Sequence, residues 1–269
     1  MWWQVDLEDN YHVNFVVIHN RMDCCQNRID GAEVYVANYR CGRVFYIPGR
    51  NIYYIPCNGA TGRTVKITLA HNYLHMAEVQ VFGGAGSIKG VGLLSYQKPS
   101  HMSSIAHGGR PERAVDGNAN GWWGRGSCIH TNGRKNDWWV DLEGVFPVYT
   151  VIIHNRWDLC CVQRINGAKV YVDNQLCGTV KWRKGVRSYP INCGGRRGKV
   201  VRITHNKILN LAEVEVLGTG GPTQFGPMLG SGNVRLLSLR RPTKQSNTGW
   251  GGHPQRAVDG YVDGYWGRR

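Results

Sequence analysis

The chain contains a long internal repeat, which limits the folds it can adopt because each copy must form the same structural unit. The segment VVIHNRMDCCQNRIDGAEVYV at 16–36 recurs as VIIHNRWDLCCVQRINGAKVYV at 151–172. A second pair of segments, VGLLSYQKPS at 91–100 and VRLLSLRRPT at 234–243, covers a different part of the unit. The repeating unit is therefore about 135 residues long, with a front third followed by a back two-thirds.

Both copies carry the pattern of β-strands. The strings WWVDL, TVIIHN, AKVYV, KVVRIT and AEVEVL are short, rich in Val, Ile, Trp and Tyr, and often alternate apolar with polar residues. Turn-forming strings such as NGA, DGN and CGG separate them, and convincing helical periodicity is absent. This pattern predicts an all-β protein, an antiparallel β-sandwich of the jelly-roll type with two sandwich units per chain.

The repeat boundaries divide the chain unevenly. Residues 1–84 are a back two-thirds, 85–219 a complete unit, 220–233 a Gly-rich linker and 234–269 a front third. Two-thirds of a β-sandwich would expose unpaired strand edges. We therefore expect 234–269 to complete 1–84, either by circular permutation within one chain or by strand swap between chains, which would give a homo-oligomer. A third interpretation is a disordered tail.

Composition excludes several classes of protein. The formal net charge is +15, but 42% of the residues are hydrophobic, so the chain is not a disordered basic tail. No apolar run approaches the roughly 18 residues of a membrane helix. The nine cysteines are placed in duplicate, which favours a disulfide framework and an oxidising compartment. We expect a secreted, extracellular protein whose signal peptide is not included in this sequence.

The most distinctive motif is R-x-D-C-C-x-x-R, at Arg21, Asp23 and Arg28 in the first copy. Two guanidinium groups offer several fixed donors and suit a ligand dense in hydroxyl groups. The intervening carboxylate can hold one arginine in a bidentate pair. A disulfide between the adjacent Cys24 and Cys25 would present an apolar knob for the C–H face of a sugar.

With this motif and its cysteine spacing, the chain resembles the F-type lectin (fucolectin) family, which shares the pattern H-x26-R-x-D-x4-R/K and a jelly-roll fold. The resemblance implies a lectin that binds L-fucose-containing or related glycans and is not an enzyme. It also implies that the basic residues and a histidine hydrogen-bond the sugar while the vicinal disulfide touches it. Agglutination and a role in innate immunity follow only by analogy with the family.

Residue by residue, the resemblance assigns a sugar site to each copy. In the complete unit the set is His130, Arg156, Asp158, Arg164 and the Cys160–Cys161 pair; in the first copy it is Arg21, Asp23, Arg28 and the Cys24–Cys25 pair. The first copy has no equivalent of His130, and His12, His19 or His253 could substitute for it.

The complete unit also departs from the family pattern in spacing. One residue fewer separates His130 from Arg156, and one more separates Asp158 from Arg164 because Leu159 is extra. These changes could alter the specificity for the sugar or remove fucose binding.

The resemblance further implies one structural Ca²⁺ and a set of disulfides. The calcium ligands would be side chains of Asp116, Asn118, Ser127 and Glu213 with the carbonyls of Arg113 and Ala212. The long-loop disulfides would be Cys41–Cys57 and Cys177–Cys193. Cys128 is the odd cysteine, either free or available for an intermolecular disulfide.

Two other functions fit parts of the sequence. A basic stretch between Lys181 and Arg202 suits a discoidin-like module that binds anionic membranes or sulfated and acidic polymers. The split end units suit a polymerising structural protein. We expect no nucleic-acid partner and no membrane insertion, because no recognised motif accompanies the charge.

The tryptophans divide into two predicted groups. Trp2, Trp3, Trp138 and Trp139 are expected in the sandwich cores, whereas Trp122, Trp123 and Trp266 flank the predicted site loop and are candidates for sugar contact.

Overall fold

The computed structural model describes residues 1–84, 91–133, 136–158, 160–220, 234–262 and 264. Leu159 and Trp266 therefore lie outside the described residues. The chain divides into two compact units. Unit 1 comprises Met1–Val91 with Pro227–Arg269, and unit 2 comprises Gly92–Gly226.

Fourteen strands make up the described structure. In chain order they are β1 (Trp2–Asn20), β2 (Glu33–Val36), β3 (Tyr39–Arg43), β4 (Ile52–Thr68), β5 (Met76–Gly84), β6 (Val91–Leu93), β7 (Ser100–Met102), β8 (Asn136–Asn155), β9 (Lys169–Val172), β10 (Gln175–Thr179), β11 (Ser188–His205), β12 (Leu211–Thr219), β13 (Arg235–Leu236) and β14 (Thr243–Gln245). Helical structure in the described part of the chain is limited to short 3₁₀ turns, and none of them could cross a membrane.

The two units have the same strand order. One sheet runs β13-β5-β1-β4-β2-β3 with β14 paired to β1, and the other runs β6-β12-β8-β11-β9-β10 with β7 paired to β8. All the described strand pairs are antiparallel. The predicted all-β architecture with two sandwich units is therefore confirmed.

The long strands belong to both layers of their sandwich. The first half of β1 pairs with β14 and its second half pairs with β5, with a register shift between Asp6 and Tyr11. At this corner Glu8 has a φ of 70°, and its N–H donates to the Asp6 side chain. Glu143 makes the same corner in β8. Each sheet folds over at its corner and encloses a core of its own.

The prediction that four tryptophans fill the cores was wrong for two of them. Trp3 and Trp138 are buried, and their indole N–H groups donate to the carbonyls of Pro254 and Pro111, each at 3.0 Å. Trp2 and Trp139 are only half-buried. Adjacent residues of a strand point to opposite faces, so a Trp-Trp pair places one ring inside the sandwich and the other outside.

Residues 234–262 pack on the first part of the chain as residues 92–119 pack on the remainder of unit 2. The N–H of Leu237 donates to the Val81 carbonyl at 2.7 Å, and that of Leu94 donates to the Val216 carbonyl at 2.8 Å. The buried Ser238 hydroxyl accepts from the Val81 N–H and donates to the Val79 carbonyl, both at 3.0 Å. Residues 234–262, which correspond to the front third of a repeating unit, thus contribute strands and core residues to unit 1.

Four disulfides are present among the described residues. Cys41–Cys57 joins β3 to β4 and Cys177–Cys193 joins β10 to β11, while Cys24–Cys25 and Cys160–Cys161 are pairs of adjacent residues. Cys128 is free and fully buried, and burial raises the pKa of its thiol to about 12. A thiol in this position cannot reach a partner chain, which argues against the intermolecular disulfide considered for it.

Candidate functional site

In both units a rigid arginine–carboxylate pair follows the end of a long strand. In unit 2, Arg156 donates from Nε and Nη2 to the two oxygens of Asp158 at 2.6 and 2.9 Å. In unit 1, Arg21 makes the same pair with Asp23 at 2.5 and 3.0 Å. A bidentate pair fixes the plane of the guanidinium.

The second arginine of each motif is placed by a 3₁₀ turn. In unit 2 the turn Val162–Ile165 begins after Cys161, whose φ is 72°, and it carries Arg164. The Asn155 side chain closes the loop by donating to the Val162 carbonyl at 2.8 Å. Unit 1 repeats this arrangement: the turn Gln26–Ile29 begins after Cys25, whose φ is 58°, and carries Arg28.

The vicinal disulfides are at the surface of these loops. The first cysteine of each pair, Cys24 or Cys160, is exposed, and the second, Cys25 or Cys161, is half-buried. Each pair lies directly before a 3₁₀ turn that carries a motif arginine. Each disulfide is therefore accessible at the surface, close in sequence to that arginine.

His130 lies beside both arginines of unit 2. Its Nδ1 is 2.8 Å from the Thr131 carbonyl oxygen, which can only accept, so in the neutral ring Nδ1 carries the hydrogen and Nε2 is an acceptor. Burial lowers the pKa of His130, and the positive charges of Arg164 and Arg156 lower it further. The neutral ring therefore dominates at pH 7.

An aromatic ring links the histidine to the fixed arginine. The Trp123 ring centroid is 5.4 Å from that of His130, and the Arg156 guanidinium lies 4.9 Å from the Trp123 centroid. His107 packs edge-on against His130 at 4.9 Å. Trp123, a predicted candidate for sugar contact, is thus part of the cluster.

Asn210 orients Arg164 from a distant part of the chain. Its Oδ1 accepts from Arg164 Nη1 at 2.9 Å, and its Nδ2 donates to the Ile129 carbonyl at 3.3 Å. The asparagine therefore connects the second arginine to the segment that precedes His130. Of the predicted set in unit 2, the structure brings His130, Arg156, Asp158 and Arg164 together.

A second polar cluster in unit 2 contains two neighbouring carboxylates, the buried Glu213 and Asp116, which is exposed as a residue although its carboxyl group is desolvated. Glu213 is fully buried, Oε1 accepts from the Gly117 N–H at 3.2 Å, and Oε2 has no hydrogen-bond partner among the described residues. Burial raises the pKa of Asp116 to about 6. It raises the pKa of Glu213 well above its usual range, and the nearby Asp116 charge adds to this effect.

The other predicted calcium ligands are close in sequence to Asp116 or to Glu213. Asn118 Oδ1 accepts from the Asn120 N–H at 3.1 Å, and the Ser127 hydroxyl contacts the Asn120 carbonyl. Arg113 lies in the 3₁₀ turn Pro111–Ala114, and Ala212 precedes Glu213 in β12. No cluster of three or more His, Cys, Asp or Glu side chains forms in the described part of the chain.

This donor set fits a hard divalent cation. Two neighbouring carboxylates repel each other when both are ionised, and a cation between them stabilises the charged forms. Their oxygens, with the amide, hydroxyl and carbonyl oxygens nearby, are the ligand types that Ca²⁺ prefers. The Glu213 oxygen without a partner is the observation that most directly points to a cation.

Comparisons with known proteins identify the family of the chain. The family described as "NedA-like, galactose-binding domain" matches residues 1–67 and 113–203. Fucolectin-6 of Anguilla japonica is 31% identical over 140 residues, which cover 48% of this chain and 73% of that protein. Fucolectin-5 of the same organism is 35% identical over 133 residues, covering 43% and 70%. The chain belongs to the F-type lectin family.

Among solved structures, this lectin is similar to an F-lectin (fucolectin) from striped bass (Morone saxatilis) serum, with 29% identity, a TM-score of 0.46, and coverage of 81% of this chain and 82% of the other. The matched range 113–203 contains the histidine and both arginines of unit 2, and the range 1–67 contains both arginines of unit 1.

Sequence reasoning missed two members of the lectin's unit 2 cluster, His107 and Asn210. His107 has a φ of 49°, which is uncommon for a residue other than glycine. The string HGGRP at 107–111 recurs as WGGHP at 250–254, so the repeat itself marked this position as a turn in both units. Asn210 carried no such signal, because it is distant in sequence from the arginine that it orients.

Proposed function

We propose that the protein is a secreted, non-enzymatic lectin that binds L-fucose-containing or related glycans, with its best-formed site in unit 2. The observation that carries the proposal is that His130 and Arg156, which Asp158 holds in place, both lie against the ring of Trp123, with Arg164 close to His130. These groups are fixed before any ligand arrives, which reduces the entropic cost of binding. The relatedness to fucolectins supports the sugar class.

Each residue has a distinct task in this proposal. Arg156 and Arg164 donate hydrogen bonds to ring or hydroxyl oxygens of the sugar, and neutral His130 accepts a hydroxyl hydrogen at Nε2. The Cys160–Cys161 disulfide packs against the C–H face of the sugar. The arrangement binds and orients hydroxyl groups, but it brings no nucleophile and general base together, so we infer no chemical step.

Unit 1 would use Arg21, Asp23, Arg28 and the Cys24–Cys25 pair in the same way. Of the histidines first considered as substitutes, His12 instead contacts the Gly59 carbonyl and the Thr61 hydroxyl, and His19 is buried within β1.

A structural Ca²⁺ is part of the proposal for unit 2. Asp116, Asn118, Ser127 and Glu213 would hold it with the carbonyls of Arg113 and Ala212. When bound, the ion neutralises the carboxylates of Asp116 and Glu213 and ties the loop at 116–127 to β12. This loop leads directly to His130, so the ion would hold the sugar site in place. The duplicated disulfides support secretion, because such pairs persist in oxidising compartments.

Calorimetric titration of the calcium-loaded protein with L-fucose tests the proposal. We expect saturable binding that Arg164→Ala weakens about 10- to 100-fold, the loss of a charged hydrogen bond. Arg183→Ala is the matched control, because Arg183 is exposed in the basic stretch and takes no part in the cluster. No heat with wild-type protein at millimolar sugar would overturn the proposal. Binding to a sulfated polymer that only Arg183→Ala weakens would favour the polyanion function instead.

A further inference from the structure

One loop has the same backbone turn in both units but a different sequence. The segment KWRKGVR at 181–187, before β11, aligns with FYIPGRN at 45–51, before β4. In each loop the N–H of the sixth residue donates to the carbonyl of the third at 3.1 Å. The fifth residue is a left-handed glycine in both, Gly185 with a φ of 81° and Gly49 with a φ of 83°.

The two loops differ in charge. The loop of unit 2 carries four cationic residues and no acidic one, whereas that of unit 1 carries only Arg50. Lys181, Arg183 and Lys184 are exposed, and Arg187 is half-buried. Because the turn of unit 1 forms without these charges, the turn itself does not require them, and they are a property of unit 2 alone.

The last cation of this loop lies beside the candidate sugar site. The Arg187 guanidinium is 4.2 Å from the centroid of Trp157, which stands in the chain between Arg156 and Asp158. The Arg187 carbonyl accepts from the Asn155 N–H at 2.8 Å, so the end of the loop is fixed to the strand that leads into the site. A guanidinium stacked on an indole ring is held in one orientation and keeps its charge.

Aromatic rings connect Arg187 to the sugar cluster. The ring centroids of Trp157 and Trp122 are 5.7 Å apart in a T-shaped contact, and Trp122 directly precedes Trp123 of the cluster. A Cβ at Gly121 would lie only 2.3 Å from the Trp157 ring, so a glycine is needed there for the indole to pack. Both rings are half-buried and therefore keep part of their surface accessible.

Unit 1 has neither the ring nor the charge at these positions. Met22 aligns with Trp157 and Asn51 with Arg187, and the Asn51 side chain contacts the Met22 sulfur. The backbone bond is retained, since the Asn51 carbonyl accepts from the Asn20 N–H at 2.8 Å. The same scaffold thus presents a stacked cation in unit 2 and a neutral pair in unit 1.

We propose that Arg187 and the basic loop at 181–187 form a subsite of unit 2 for an acidic substituent, a sulfate ester or a carboxylate, on the sugar next to L-fucose. The inference rests on the proposed function for the sugar itself. Guanidinium donors pair with two oxygens of such a group. The exposed cations of the loop add a positive field that attracts it. Unit 2 would therefore prefer acidic fucosylated glycans to neutral ones.

The test uses the full chain with Arg28→Ala throughout, so that binding reports mainly on unit 2. The ligands are three forms of fucosyllactose, in which the galactose carries no substituent, a sulfate ester or a sialic acid. Arg187→Asn introduces the residue that unit 1 has at this position, and the backbone bond there tolerates it. Arg197→Asn is the matched control, because it removes the same charge from an exposed residue of β11 that pairs with Pro147, far from the site end of the strand.

Calorimetric titration should show at least one acidic form binding about 10-fold more tightly than neutral fucosyllactose, the gain expected for a charge-assisted hydrogen bond. Arg187→Asn should abolish this preference without changing the affinity for the neutral form, whereas Arg197→Asn should retain it. The form that gains affinity identifies the acidic group as sulfate or carboxylate.

Three results would overturn the inference: neither acidic form binds more tightly than the neutral one, both variants reduce the preference equally, or Arg187→Asn weakens all three ligands alike. The second would indicate a general attraction to the basic unit, and the third a structural role for Arg187. In each case the lectin proposal stands as long as the wild-type protein binds L-fucose. If the wild type does not bind L-fucose, the proposed function itself fails.

Discussion

Ser238 allows a direct test of whether the end of the chain completes unit 1. Its hydroxyl is buried and bridges the Val81 N–H and the Val79 carbonyl, each at 3.0 Å. Ser238→Ala removes both hydrogen bonds and leaves two polar backbone groups in a dry space. A buried group left unsatisfied costs about 1–3 kcal/mol, so we expect the free energy of unfolding of unit 1 to fall by about 2–4 kcal/mol.

Differential scanning calorimetry measures this change. For a unit of this size, 1 kcal/mol corresponds to roughly 4 °C in Tm, so the unit 1 transition should move down by about 8–16 °C. Ser95→Ala is the matched variant, because Ser95 makes the same two hydrogen bonds to Val214 and Val216 in unit 2, also at 3.0 Å. It should lower the unit 2 transition by a similar amount and leave unit 1 unchanged.

The reasoning is refuted if Ser238→Ala changes neither transition while Ser95→Ala lowers that of unit 2. In that case residues 234–262 are not packed on the first part of the chain in solution. The same scans at several protein concentrations distinguish the two ways of completing unit 1. A Tm that is independent of concentration indicates completion within one chain, and a Tm that rises with concentration indicates strand swap between chains.

Four further predictions concern unit 2. Ca²⁺ should raise the Tm of unit 2 in the wild-type protein, and Glu213→Gln should abolish this shift in a calcium titration followed by calorimetry. L-Fucose affinity should be constant at and above neutral pH and fall only as the pH drops below the lowered pKa of His130, because protonation removes the Nε2 acceptor; titrations at successively lower pH check this, and an affinity that already falls above the usual histidine pKa of about 6.5 would contradict it. Asp158→Asn should weaken fucose binding about 10-fold by releasing Arg156 from its bidentate pair, with the circular dichroism spectrum unchanged. Cys128 should resist alkylation by iodoacetamide at pH 8 in the folded protein and react once it is unfolded, because its thiol is buried and its pKa is raised to about 12.

The sequence predicted the local parts of both sites for a physical reason. The R-x-D pair, the adjacent cysteines and the turn that carries the second arginine lie within one loop, so their relative positions depend on short-range geometry. The alternation of strand residues likewise implies that one tryptophan of each Trp-Trp pair lies outside the core, as Trp2 and Trp139 do.

The sequence by itself determined the all-β class, the duplicated unit, the family and the arginine motifs, since repeats, strand alternation and short loops are encoded between near neighbours in the chain. Only the tertiary structure decided which distant residues join those motifs. Asn210 and His107 reach the unit 2 site from segments whose approach depends on how the strands pair across the sandwich. Which distant side chains meet at a site depends on packing, and packing is a property of the folded units.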